Sequence, residues 1–249
     1  MNIRAITAGN PGPFTLDGTR SYLLDDRAVI DPGPNIERHV RALADAAPRL
    51  EYIFITHRHA DHAPAAIPLK RITRARIVAP AGALPGHEID VVVNGGETFA
   101  VAGSELEVLA TPGHTGEHVC YLTADGDLFT GDTILGAGTT AIFPPDGDMA
   151  QYLQSLQKLR ARGPRRIFPG HGPVRDDAVA LIDEYIAHRL EREQQVLDAV
   201  AAGATSIEQI RARIYPELDP SLISAADAQL RAHLAKLRSE GRVGEEVSF

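Results

Sequence analysis

Apolar positions in the first two thirds of the chain fall in short runs broken by Gly, Pro and Asp. Residues 21–24 and 28–30 are two such runs, and Asp25-Asp26-Arg27 between them is a polar turn, so the pair predicts adjacent strands. Residues 35–47 change period: Ile36, Val40, Leu43 and Ala47 recur at helical spacing, with Asn35 as the expected N-cap. Residues 51–55 form a buried-type strand, and residues 77–79, 91–93 and 106–109 predict further strands. Residues 119–122 and 127–130 read as a hairpin around Ala124-Asp125-Gly126. Residues 149–162 place Tyr152, Leu153, Leu156 and Leu159 on one helix face, and 166–168 is the last strand. Strands and helices thus alternate to about residue 190, without a GxGxxG or P-loop signature, a repeat or a low-complexity segment.

The pattern then becomes wholly helical. Residues 177–202 predict one long helix or two abutting ones. Ser206 opens a short helix as N-cap with Gln209 in the capping-box position. Residues 225–240 carry Leu230, Leu234 and Leu237 on one face, and 241–247 predict a short terminal hairpin. Three helices and a β-wing resemble a winged helix. The expected division is a catalytic unit over 1–190 and a winged-helix-like unit over 191–249.

Bulk properties narrow the class. A length of 249 residues allows one large catalytic domain and a small appendage, and 44% hydrophobic content supports a sizeable core. Aromatic content is 5% with no Trp, so that core is aliphatic. A formal net charge of -8 argues against a surface that grips nucleic acid as a whole. From residue 186 onward 8 Lys/Arg oppose 10 Asp/Glu, so the winged-helix-like unit lacks the basic footprint of a DNA binder. Cys120 is the only cysteine, which excludes an intrachain disulfide and suits a reducing compartment. No secretory signal is evident at the N-terminus, and no apolar stretch has the ~20 residues of a membrane span, so a cytoplasmic location is expected.

The candidate chemistry is concentrated in Thr56-His57-Arg58-His59-Ala60-Asp61-His62, three imidazoles and a carboxylate within six residues. Four Gly-flanked segments add to it: Asp31-Pro32-Gly33, Thr111-Pro112-Gly113-His114-Thr115, Thr130-Gly131-Asp132 and Pro169-Gly170-His171-Gly172. One His beside a Gly turn is ordinarily a surface or core residue. Packing three rings and a carboxylate together has no such rationale, because unpaired polar groups are costly to bury. His57, His59 and His114 suit one ion, Asp61, His62 and His171 a second, and Asp132 a bridge. Two ions ~3.5–4 Å apart can share a hydroxide and polarise the bond under attack. Asp61 can also orient that hydroxide and move a proton. Asp31 is expected to hold a ligand His in its tautomer. His118 is expected to be structural beside the site. His39, His87, His188 and His233 are expected on the surface or on helix faces.

The order and spacing of these segments resembles the metallo-β-lactamase superfamily over about residues 3–190. That resemblance implies an α+β fold, an αββα sandwich with metals at one edge of two facing sheets. It also implies a metal-dependent hydrolase holding two divalent ions, zinc first, with Mn or Fe as alternatives. The opening Asn10-Pro11-Gly12-Pro13-Phe14-Thr15-Leu16-Asp17-Gly18-Thr19-Arg20-Ser21-Tyr22-Leu23 is similar to the β-lactamase-like protein 2 branch. So are Arg192-Glu193-Gln194-Gln195, Ile214-Tyr215 and His233-Leu234-Ala235-Lys236-Leu237 in the tail. The branch implies cleavage of single-stranded RNA, or hydrolysis of a thioester or other acyl ester as in glyoxalase II and carrier-protein thioesterases. Lys70, Arg71, Arg74 and Arg76 are the one basic cluster near the site that an RNA would use. Arg20 stands where the branch usually has Asn, a candidate contact for an anionic substrate, with a solvated loop Arg as the plainer alternative. A β-lactamase ranks third, and a non-catalytic or flavodiiron-like scaffold is disfavoured because no ligand is missing and no flavodoxin unit is present.

Overall fold

A computed structural model describes residues 1–248, apart from the side chain of Ser221; Phe249, the last residue of the expected 191–249 unit, lies outside the described residues. Six strands, β1 (Ile3–Thr7), β2 (Arg20–Leu24), β3 (Ala28–Ile30), β4 (Tyr52–Phe54), β5 (Arg76–Pro80) and β6 (Val91–Val93), form one sheet in sequence order. The first two pairings are antiparallel and the rest parallel. The second sheet runs β11-β10-β9-β8-β7, where β7 is Thr98–Val101, β8 Ser104–Ala110, β9 Val119–Thr123, β10 Asp127–Gly131 and β11 Arg166–Pro169.

Period-two alternation builds the layers. In β9, Val119 and Tyr121 face the other sheet while Cys120 and Leu122 face the outer helices. In β4, Phe54 points between the sheets and Ile53 points outward. The inter-sheet core contains Tyr22, Phe54, Val78, Val108, Tyr121, Phe129 and Phe168. Helices α1 (Glu37–Ala46) and α2 (Ala66–Thr73) cover the first sheet, and α3 (Met149–Ala161) with the start of α4 (Ala178–Ala201) covers the second. The result is the expected αββα sandwich.

Helix α4 is single and runs 24 residues into the C-terminal unit. Its Leu181, Ile182 and Tyr185 join the sandwich core. Its Val196 and Ala199 join a separate small core with Ile207 and Ile210 of α5 (Ile207–Ile214) and Leu230, Leu234 and Leu237 of α6 (Ile223–Ser239). Ser206 caps α5 by accepting from Gln209 N, while Gln209 Oε1 accepts from Thr205 N at 2.8 Å, one residue beyond the usual box.

Several expectations change. Residues 241–247 form no hairpin: Arg238 donates to the Gly244 and Val247 carbonyls, and Ser248 N bonds Thr205 O at 2.9 Å, so the chain end lies against the start of α5. Asn35 does not cap α1; Ile36 occupies the cap and no side chain bonds there. His39 and His233 are buried, at 4% and 0% exposure, rather than on the surface. His39 bonds Ser21 Oγ at 2.9 Å, which ties α1 to β2, whereas among the described residues neither ring nitrogen of His233 has a partner. His87 and His188 are exposed.

Candidate metal centre

Each candidate ligand, and Asp31, comes after a strand of the sandwich. Asp31 follows β3, the His57–His62 cluster follows β4, His114 follows β8, Asp132 follows β10 and His171 follows β11. The strand ends thus converge on one rim. Glycines permit the approach at two points. Gly131 has φ +47°, and a Cβ there would stand 2.5 Å from Thr56 Oγ1 and 2.8 Å from His118 Nε2. A Cβ on Gly170 would stand 2.6 Å from His62 Cε1.

The structure gathers His57, His59, His114 and Asp132 into one group and Asp61, His62 and His171 into another, with the candidate ligand atoms of each group within 4.8 Å of one another. Asp132 faces both. Its Oδ1 lies 3.3 Å from His62 Nε2 and 3.3 Å from His171 Nε2, and its Oδ2 lies 3.6 Å from His114 Nε2 and 3.9 Å from His57 Nε2. Asp61 Oδ2 is 3.1 Å from His171 Nε2 and accepts from Thr19 Oγ1 at 3.3 Å.

The outward nitrogens of His57, His62, His114 and His171 are already engaged. Asp31 is central: its Oδ1 accepts from Thr56 N, and its Oδ2 accepts from Thr56 Oγ1 and from His62 Nδ1, each at 2.8 Å. Since Thr56 Oγ1 spends its proton on Asp31, it accepts from His57 Nδ1 at 2.9 Å. His114 Nδ1 donates to Ala141 O at 2.8 Å, and His171 Nδ1 faces Gly18 O at 3.4 Å. These contacts set the tautomers and aim four Nε2 atoms inward. His118 is buried, donates through Nδ1 to Thr111 Oγ1 at 3.0 Å, accepts from Asp132 N at 3.3 Å and stacks on the His57 ring. It therefore steadies the loop that carries Asp132. Sequence reasoning does not single out Thr56; its place directly before the first ligand-type His is the signal that marks it.

Electrostatics and unmet bonding both call for positive charge here. His57 Nε2 and His114 Nε2 each lie 3.0 Å from His59 Nδ1, so inward lone pairs face one another. Among the described residues, buried Asp132 Oδ1 has no hydrogen-bond partner. Burial opposes charge on His62, yet Asp132, Asp31 and Asp61 outweigh it and draw its pKa well above the ordinary value. Burial likewise opposes the charged form of Asp61, but His62 and His171 hold it at about 2. A site of five inward ring nitrogens and two carboxylates, with one oxygen orphaned between the groups, fits a pair of divalent cations. Arg20 begins β2, pairs with Asp17 at 2.7 Å and does not line the cleft above this centre.

Comparison with known proteins identifies the family. Residues 15–171 match the metallo-beta-lactamase superfamily, and residues 206–248 match the beta-lactamase associated winged helix domain. The beta-lactamase-like protein 2 homolog of Caenorhabditis elegans is 35% identical, over 97% of this chain and 85% of its own. The atrochrysone carboxyl ACP thioesterase of Aspergillus fumigatus is 34% identical, over 78% of this chain and 64% of its own. In fold, a metallo-beta-lactamase family protein from Thermus thermophilus superposes with a TM-score of 0.78 at 22% identity, covering 97% of this chain and 95% of that one. The chain belongs to the metallo-beta-lactamase superfamily. It is a metal-dependent hydrolase with a winged-helix unit at its C-terminus, and no helix among the described residues is long and apolar enough to cross a membrane.

Proposed function

We propose that this chain hydrolyses a thioester or related ester of an apolar acyl group, with His57, His59, His114 and Asp132 holding one divalent ion and Asp61, His62, His171 and Asp132 the other. Zinc is the first candidate, because borderline imidazole ligands dominate both groups. When bound, the ions supply Lewis-acid polarisation of the substrate carbonyl and an acidified water.

The observation that carries the substrate reading is the cleft over the centre. It has a volume of about 590 Å³. His59, Asp61, His114 and Asp132 form its floor, Phe14, Leu16, Leu135 and Phe143 one wall, and Tyr215, Leu218 and Leu222 of the C-terminal unit the other. Among the described residues no Lys or Arg lines it. Such a lining takes up an apolar chain and offers no cationic side chain to a phosphodiester backbone. The basic cluster lies elsewhere: Lys70 pairs with Asp90 at 2.8 Å, and Arg71, Arg74 and Arg76 are exposed outside the cleft. Similarity to a protein named as an acyl-carrier thioesterase favours the same reading. In this division of labour residues 1–190 carry the chemistry, and residues 191–249 close the cleft.

The protein's own groups then act as follows. Asp132 presents one carboxylate oxygen to each cluster and so ties their positions together. Asp61 is ionised at neutral pH. Its Oδ2 accepts from Thr19, and the carboxylate orients the attacking water and helps move its proton. The apolar walls exclude bulk water from the acyl chain.

The test is thiol release from acyl-pantetheine thioesters of increasing chain length by zinc-loaded protein, beside a His59→Ala control. Turnover that rises with chain length and vanishes in the control supports the proposal. Cleavage of end-labelled single-stranded RNA with no thioester turnover overturns it.

A further inference from the structure

Arg189 is among the largest fully buried side chains, at 2% exposure, and among the described residues no carboxylate pairs with it. Burying a guanidinium without a counter-charge is costly, and an apolar residue would pack α4 at less cost. Its neighbours on the same helix face, Leu181, Ile182 and Tyr185, take that course. The placement of its donors indicates a different purpose. Nη2 donates to Thr139 Oγ1 and, at 2.6 Å, to Thr140 O; Nη1 donates to Gln229 Oε1 at 3.0 Å; the guanidinium lies 5.4 Å over the Tyr152 ring.

The segment it grips leads directly to the metal centre. Thr140 Oγ1 donates to Asp132 O at 2.9 Å, and Ala141 O accepts from His114 Nδ1 at 2.8 Å. Gln229, on α6, also donates to Ile142 O at 3.3 Å. One buried fork therefore reaches the bridging carboxylate's backbone through Thr140 and the His114 ring through Ala141. It reaches the C-terminal unit through Gln229.

We propose that Arg189 is a positioning residue for His114 and Asp132, and that with Gln229 it makes docking of α6 a condition for a complete metal centre. The proposal rests on the reading of His57, His59, His114 and Asp132 as ligands of one ion. A fixed fork suits the task, because one planar group holds a hydroxyl, a backbone carbonyl and an amide oxygen at once. The ion held by His114 depends on this segment. His62 and His171 are held by Asp31 and by the Gly18 carbonyl instead, and neither contact passes through Arg189.

The experiment measures Zn²⁺ content and affinity by chelator competition for the full chain, for Arg189→Met and for Gln229→Ala, alongside thermal unfolding of each metal-free protein. The wild type is expected to hold two ions. Arg189→Met is expected to weaken the ion held by His114 about tenfold to a hundredfold, as for loss of a group that orients a ligand, and the other ion, which shares only Asp132 with this segment, by a clearly smaller factor. Gln229→Ala is expected to weaken the same ion by a smaller factor. Cobalt substitution adds a spectroscopic readout: the visible absorption of the ion held by His114 changes more in Arg189→Met than that of the other ion. Arg189→Met binding both ions as tightly as wild type overturns the proposal, as does equal weakening of both in step with a lower unfolding temperature. If Arg189→Met does not fold, Gln229→Ala decides by the same criterion. A wild type that holds fewer than two ions rejects the dinuclear reading itself, and the wild-type measurement alone reveals that case.

Discussion

His57 and His233 are both imidazoles at 0% exposure, one in the sandwich and one in the C-terminal unit, yet they sit in opposite circumstances. His57 has Nδ1 bonded to Thr56 and Nε2 converging with His59, His62 and Asp132. Among the described residues His233 has no partner for either nitrogen. Burial first, and neighbouring positive charge second, lowers the pKa of both, His233 to about 3. A buried histidine is therefore no mark of a site in this fold. The mark is a ring with one nitrogen tied from behind and the other aimed at its fellows.

Substitution breaks the comparison most sharply. His57→Ala is expected to remove at least one ion and cut turnover by about a thousandfold or more, since the Lewis-acid contribution of the ions is worth several kcal/mol. His233→Leu is expected to leave turnover within about twofold, because nothing converges on that ring. Measuring kcat and bound metal for the pair decides it, and a comparable loss in both would erase the distinction drawn above.

Acid gives the next largest effect, and it acts in the other region. A folded pKa of about 3 lies below the unfolded value near 6.5, so the unfolded chain binds more protons between them. Stability from keeping His233 neutral is complete above pH 6.5 and is lost as pH falls from there toward 3. The loss at pH 5 is about 2 kcal/mol. Denaturant titrations at pH 7 and pH 5 should show it, and His233→Leu should remove this part of the slope. An unchanged slope in that variant would assign the acid sensitivity to other groups.

The smallest effect falls where the two regions meet. Leu218→Asp places a charge on the C-terminal wall of the cleft, and KM for a long acyl thioester should rise about tenfold while a short one is unaffected. Equal change in both would show that this wall does not contact the chain.

Much of this is legible in the sequence because the candidate ligands are dense there and each comes after an apolar run that becomes a strand. What escapes does so for identifiable reasons. Helix α2 contains Pro68, a nominal breaker, yet Pro68 is its third residue, where no intrahelical bond is owed to its nitrogen. Strands β1 and β7 lie at sheet edges and expose much of their surface, so they lack a strong apolar run. The cleft is invisible in the sequence because its walls come from residues 13–16, 135–143 and 215–229, which only tertiary structure brings together. Arg189 reads as an ordinary helix-surface charge. Its position four residues after Tyr185, in line with Leu181, is the one clue that it points inward.

Asp31 has a consequence for how this protein can diverge. One carboxylate orients His62 directly and His57 through Thr56, and those two rings belong to different halves of the centre. The halves are therefore not separately inheritable characters. A lineage could alter His59 or His171 and disturb one half, but any change at position 31 strikes both together. Drift toward a single-ion enzyme would have to begin elsewhere, with Asp31 kept in place to the end.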